Sequence, residues 1–200
     1  MRRLLLSAVA IVSAAVACER TPISPSGPGF RTAAALVDVT AGSVGTDNFP
    51  GQSVFVPAGV YESLRFSWYS FAHQPTAFGT LYLLSSEYHG APSSLSGAIG
   101  LIAKSAAIRD GEYVFPDGLW ITGGRRYWFL CDKSGSYLHS FDIDVYPDGD
   151  SYHTGVSSSP FGKSQASGHY ISFNPPVFVQ APPDLYIDTN FRLRGRAITR

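Results

Sequence analysis

Cysteine and methionine are nearly missing from this chain: two cysteines and one methionine in 200 residues. Cys18 and Cys131 allow one disulfide at most, so no disulfide framework holds the fold. Charge is also scarce. Charged side chains make up 15%, with 15 basic and 15 acidic residues and no basic stripe, which argues against a nucleic-acid partner. No apolar run reaches the roughly 20 residues of a membrane-spanning helix. Helical periodicity is almost absent, and no internal period supports a solenoid or propeller. The phosphate-binding loop, the dinucleotide fingerprint and the Gly-x-Ser-x-Gly elbow are missing as well. His73, His89, His139, His153 and His169 form no His-x-His or His-x3-His pair, so the local sequence gives zinc no support. No Asn-x-Ser/Thr sequon occurs.

What is present starts with Arg2 and Arg3, followed by the apolar stretch Leu4 to Val16, broken only by Ser7 and Ser13. A basic start, an apolar middle and the small residues Ala15-Val16-Ala17 form the pattern of a secretory signal ending at residue 17. Residues 18–30 follow, with Pro22, Pro25 and Pro28 beside Gly27 and Gly29, a composition that reads as a flexible tether. Without Arg2 and Arg3 the mature chain carries 13 basic against 15 acidic residues, a balance of −2.

Residues 31–200 are expected to fold as one domain. With 44% hydrophobic and 14% aromatic residues, rich in tyrosine, glycine and proline, they read as an all-β protein. Short alternating segments lie between turn residues, the mark of a two-sheet antiparallel sandwich of eight to ten strands. Leu64, Phe66 and Trp68 share one strand face; so do Tyr127, Phe129 and Cys131, with Trp128 and Leu130 opposite. Residues 32–40 read as an entry strand or a loose lead-in and 99–107 as a further strand, with 87–97 a loop by composition. A strand over 137–146 puts Phe141, Ile143 and Val145 inward and Asp142 and Asp144 outward. A closing strand over 184–195 puts Leu185, Ile187, Thr189, Phe191 and Leu193 inward. Gly123-Gly124 is expected to reverse the chain between two strands. Cys131, inside an aromatic strand, reads as a small buried hydrophobe.

Two resemblances add to this. Ala15-Val16-Ala17-Cys18 resembles the bacterial lipoprotein signal, although Ala15 stands where that family usually has leucine. The resemblance implies acylation of Cys18 and attachment to a bacterial membrane, and Glu19 in place of aspartate leans toward the outer membrane or cell surface. The other reading, ordinary cleavage at the same bond, leaves a Cys18–Cys131 disulfide open. The ordered set Tyr61–Phe71, His89–Ser94, Leu119–Gly135 and Asp184–Gly195 resembles the choice-of-anchor domains of secreted bacterial proteins, which implies a jelly-roll-like β-sandwich.

The functional expectation is a non-enzymatic binding or adhesion module, with a polysaccharide as the ligand. The alternatives are a structural or assembly component meeting an envelope protein and, third, a glycoside hydrolase. Loop aromatics Trp120, Tyr137, Tyr146 and Tyr152 are candidates for stacking on sugar rings. Asp142, Asp144, Asp148 and Asp150 are candidates for Ca²⁺, which takes oxygen ligands, with an outward strand face and an Asp-Gly turn as the plainer explanation. A hydrolase would need two carboxylates about 5–9.5 Å apart across a cleft, drawn from these aspartates and Glu62, Glu87 and Glu112. No cofactor is required by this reading.

Overall fold

The computed structural model describes residues 33–42, 44–140, 144–165, 169–173, 176–179 and 187–198. Cys18, Asp142, Phe141, Ile143 and Leu185 lie outside them. Residues 31–200 form one compact unit.

The strands, in chain order, begin with β1 (Ala34–Val39), β2 (Val44–Val56), β3 (Val60–Tyr69), β4 (Pro75–Thr76) and β5 (Leu81–Leu84). Next come β6 (Leu101–Lys104), β7 (Ala107–Arg109), β8 (Glu112–Val114), β9 (Trp120–Thr122), β10 (Arg125–Cys131) and β11 (Gly135–His139). Last are β12 (Ser151–Thr154), β13 (Gly162–Lys163), β14 (His169–Phe173), β15 (Pro176–Val179) and β16 (Phe191–Ala197). One sheet runs β1-β16-β3-β8-β7, with β4 and β9 also on β3; the other runs β13-β12-β2-β10-β5-β6, with β11 also on β2. Every pairing is antiparallel, and β14 and β15 form a separate hairpin. The chain is an all-β, two-sheet sandwich.

The expected alternation sets the core. Leu64, Phe66 and Trp68 from β3 meet Val54 and Val56 from β2, Phe129 and Cys131 from β10, and Phe191 and Leu193 from β16, all buried. Phe66 is stacked at 4.7 Å on Phe129 and at 5.6 Å on Phe191, and lies edge-on to Trp68 at 4.6 Å. Cys131 is fully buried, its Sγ 3.0 Å from the Phe78 carbonyl, and burial pushes its thiol up to about 11. It is a packed hydrophobe with the thiolate form suppressed.

Three local expectations change. The loop over 87–97 contains a short 3₁₀ turn, Pro92–Gly97, that plugs Leu95 into a second apolar cluster with Tyr82, Leu84, Leu130, Tyr152 and Phe161. The second sheet is therefore covered on both faces, which is why all four residues of β5 are buried. The reading of 99–107 as one strand splits into β6 and β7, which belong to different sheets. The strand expected over 137–146 ends at His139, and the described part beyond, residues 144–146, is irregular.

The Gly123-Gly124 turn is not a hairpin. β9 pairs with β3 in one sheet, while β10 pairs with β2 and β5 in the other. The two glycines form a corner at which the chain changes sheets. Gly124 sits at φ +78°, and a Cβ at Gly123 would fall onto the Pro57 carbonyl oxygen. Gly124→Ala is expected to cost about 1–2 kcal/mol, the ordinary penalty for a side chain in the left-handed region. Gly123→Ala must displace backbone and is expected to cost more. Chemical denaturation of the two variants checks the order, which reverses if the corner is free to relax.

Candidate functional site

At one end of the second sheet, backbone hydrogen bonds close a circuit. β11 and β12 both pair with β2. From β12 the circuit continues through Ser164 N–H to the Ser151 carbonyl at 2.9 Å and Ile187 N–H to the Ser164 carbonyl at 2.9 Å. It returns to the β11 end through Ser140 N–H to the Asp188 carbonyl at 2.7 Å and Asn190 N–H to the Leu138 carbonyl at 2.8 Å. Within it lies a pocket of about 210 Å³ lined by Thr46, Asn48, Tyr137, His139, Ser151, His153, Ser164, Gln165 and Ile187.

The period-2 geometry of the strands assembles this lining. Thr46 and Asn48 are two apart on β2, Tyr137 and His139 two apart on β11, and Ser151 and His153 two apart on β12. Tyr137 stands directly across from Thr46, and Gly135 across from Asn48. The wall is polar and carries no carboxylate, lysine or arginine among the described lining residues. Asn48 Nδ2 donates to Thr46 Oγ1 at 2.9 Å. Ser164 Oγ lies 2.6 Å from His153 Nδ1 and 3.1 Å from Ser151 Oγ. His139 Nδ1 contacts the Ser140 carbonyl oxygen. A carbonyl only accepts, so His139 carries its proton on Nδ1 and leaves the Nε2 lone pair free. Burial lowers the pKa of both histidines, and His139 lowers that of His153 further by charge. Both imidazoles are neutral at pH 7.

Beneath the pocket runs a buried polar network that the alternation rule misses. Ile187, Asp188, Thr189 and Asn190 are all buried, whereas strand alternation over 184–195 would turn Asp188 and Asn190 outward. This stretch is not regular strand; it crosses from the Ser164 segment to β11, so both of its faces are covered. Gln52 Nε2 donates to Asp188 Oδ1 at 3.1 Å, and Gln52 Oε1 accepts from Thr189 N–H at 3.2 Å and Thr189 Oγ1 at 2.8 Å. Asn190 pairs through both ends of its amide with the Gly42 backbone, at 2.8 and 2.9 Å. Tyr146 N–H donates to Asp188 Oδ2 at 2.9 Å and to Asp144 Oδ1 at 3.1 Å. Burial raises the Asp188 carboxyl to about 7, and a hydrogen bond with the Asp144 carboxyl adds to the rise. The buried Asp188 carboxyl therefore holds its proton to a higher pH than an aspartate in water.

The expected aromatic platform is distributed over several places. Trp120 is 56% exposed on β9, in the other sheet from the pocket. Tyr137 borders the pocket but is 2% exposed, its ring packed 6.0 Å from Trp68. Tyr146 is half-buried, with its hydroxyl accepting from Phe55 N–H at 3.0 Å and donating to the Phe55 carbonyl at 3.2 Å. Tyr152 is buried and donates to Glu87 Oε1 at 2.7 Å, while Trp128 Nε1 donates to the Tyr152 hydroxyl at 3.3 Å. Of the four aromatics, Tyr137 alone lines the pocket.

The aspartates separate too. Asp150 is ion-paired with Lys163 at 3.1 Å and Arg126 at 3.6 Å. Asp144 partners Asp188, and Asp148 is exposed on the turn. Among the described residues no three His, Cys, Asp or Glu side chains gather into a metal-holding group. Glu112 is held by Arg65 at 3.3 Å and Arg194 at 3.1 Å, and Glu62 by Arg196 at 2.7 Å. Neither these glutamates nor Glu87 lines the pocket.

The pocket and the network beneath it carried one readable signal. Thr46 and Asn48 of the lining and Gln52 of the network are polar at even positions of β2, on a face that elsewhere in the strand would be apolar. No protein-family model, curated protein or solved structure matches the chain.

Proposed function

We propose that the chain is an exported β-sandwich binding module of the choice-of-anchor kind, tied to a bacterial membrane by a lipid on Cys18, and that the pocket between β11 and β12 receives a neutral, hydroxyl-rich ligand such as the end of a polysaccharide. The apolar stretch Leu4 to Val16, the small residues before Cys18 and the proline-rich tether supply the export and anchoring part of this reading. The observation that carries the ligand part is the composition of the pocket wall. Amide, hydroxyl and imidazole groups beside one tyrosine can donate and accept at once, which suits a polyol. The small volume limits the occupant to about one sugar unit or a chain end.

Calorimetric titration of the full chain with neutral mono- and oligosaccharides tests this. Saturable binding that Asn48→Ala weakens by about tenfold, the loss of one or two hydrogen bonds, is the expected result. Absence of binding to any neutral saccharide overturns the ligand reading and favours an assembly role in the envelope. Mass spectrometry of the mature N-terminus tests the anchor separately, since an unmodified Cys18 overturns it.

A further inference from the structure

We propose that the same pocket holds a divalent transition-metal ion of the Zn²⁺ class through Nε2 of His139 and Nε2 of His153. The two histidines stand fourteen positions apart in sequence, yet both line one pocket from strands that flank the same β2. Each ring is held from behind through Nδ1: His139 by the Ser140 carbonyl, and His153 by Ser164 Oγ at 2.6 Å. A backbone carbonyl or hydroxyl on Nδ1 is the outer-shell arrangement that fixes a metal-binding histidine and aims its Nε2 lone pair outward. The Ser164 hydroxyl can accept from His153 Nδ1–H while donating its own hydrogen to Ser151 Oγ at 3.1 Å, so the tautomer that metal binding needs is open to His153.

Neutral imidazole selects Zn²⁺, Cu²⁺ or Ni²⁺ over Ca²⁺ and Mg²⁺, which take oxygen. The pocket adds the side-chain oxygens of Asn48 and Thr46 within the same lining. No third His, Cys, Asp or Glu joins the two imidazoles among the described residues. With two imidazole ligands from the described residues, the ion would fill its remaining positions with water or an incoming ligand. This goes beyond the saccharide reading, because the ion can bind whether or not a sugar does.

The test is titration of the full chain with Zn²⁺ alone at pH 7.5, by calorimetry and by the ¹⁵N resonances of the histidine rings. One-to-one binding is expected, with the Nε2 signals of two histidines shifted and no binding of Ca²⁺. His153→Ala is expected to abolish it; His153 lies in the pocket wall and belongs to neither apolar cluster, so the replacement leaves the core intact. Ser164→Ala keeps both ligands and should weaken binding about 10–100-fold. His89→Ala, on a separate surface, should change nothing. Binding that survives His153→Ala, Nδ1 rather than Nε2 coordination, or no Zn²⁺ binding to the wild-type chain each overturns the proposal. Repeating the saccharide titration with a chelator present keeps the two readings apart: sugar binding without metal leaves the first intact, and metal binding without sugar leaves this one intact.

Discussion

Phe66→Ala is expected to lower the stability of the domain by about 3–5 kcal/mol, the usual loss for a buried phenylalanine truncated to alanine. Phe66 has no exposed surface and contacts rings from both sheets: Phe129 at 4.7 Å across the sandwich, and Phe191 and Trp68 beside it. Removing it opens a void whose walls are held by two hydrogen-bonded sheets, so the neighbours cannot collapse inward far enough to fill it. A domain of ordinary stability has about 5–15 kcal/mol in all, and the midpoint of thermal unfolding should fall by about 6–20 °C. Ile99→Ala, at a residue 90% exposed, serves as the control and should change stability by less than about 0.5 kcal/mol. Thermal and denaturant unfolding of both variants decide the matter. A Phe66→Ala loss close to that of Ile99→Ala would mean that the two sheets are not joined through this ring.

The second large effect is a pH dependence of unusual sign. Most carboxylates stabilise a fold as pH rises, because pairing depresses their pKa. Asp188 does the opposite. Burial, together with the Asp144 carboxyl, raises it from 3.8 to about 7. Between about pH 4 and pH 7 the folded chain keeps a proton on Asp188 that the unfolded chain has released. Stability from this group is therefore fully present below pH 4, falls as pH rises through that window by up to about 1.4 kcal/mol per pH unit, and is flat above it. Asp188→Asn supplies a neutral side chain with an oxygen to accept from Gln52 or Tyr146, and an N–H₂ to face Asp144. Its stability relative to wild type should increase from pH 4 to pH 7 and then level off. Taking the difference between the two proteins cancels the histidines, whose lowered pKa values add a trend of the other sign below about pH 6.5. Denaturant unfolding at closely spaced pH values gives the result. Parallel curves for the two proteins would show that Asp188 titrates normally.

The fold was legible because its rule is local. Leu64, Phe66 and Trp68 alternate with Arg65 and Ser67, and any strand with that order must bury one row of side chains. Ser67 shows the limit of the rule: it lies on the opposite face and is fully buried as well. The Gly123-Gly124 signal fits a reversal and a corner equally, because both make the same local demand, a positive φ at Gly124. Only the partners of β9 and β10, far away in sequence, distinguish them. Alternation assumes one wet face and would turn Asp188 and Asn190 to it, but Gln52, Ser140 and Gly42 cover that second face.

The pocket was the least legible part. Residue spacing can reveal a histidine pair only when one element carries both members. Here β11 brings one, β12 brings the other, and the circuit closes through Ser164 and Ile187. By itself the sequence determined an all-β sandwich with an aromatic core, because side-chain period and turn residues act over a few positions. The tertiary structure decided which strands face which and which polar groups lose water. It also decided where two distant imidazoles share one cavity, because those outcomes depend on long-range pairing that no short stretch of chain encodes.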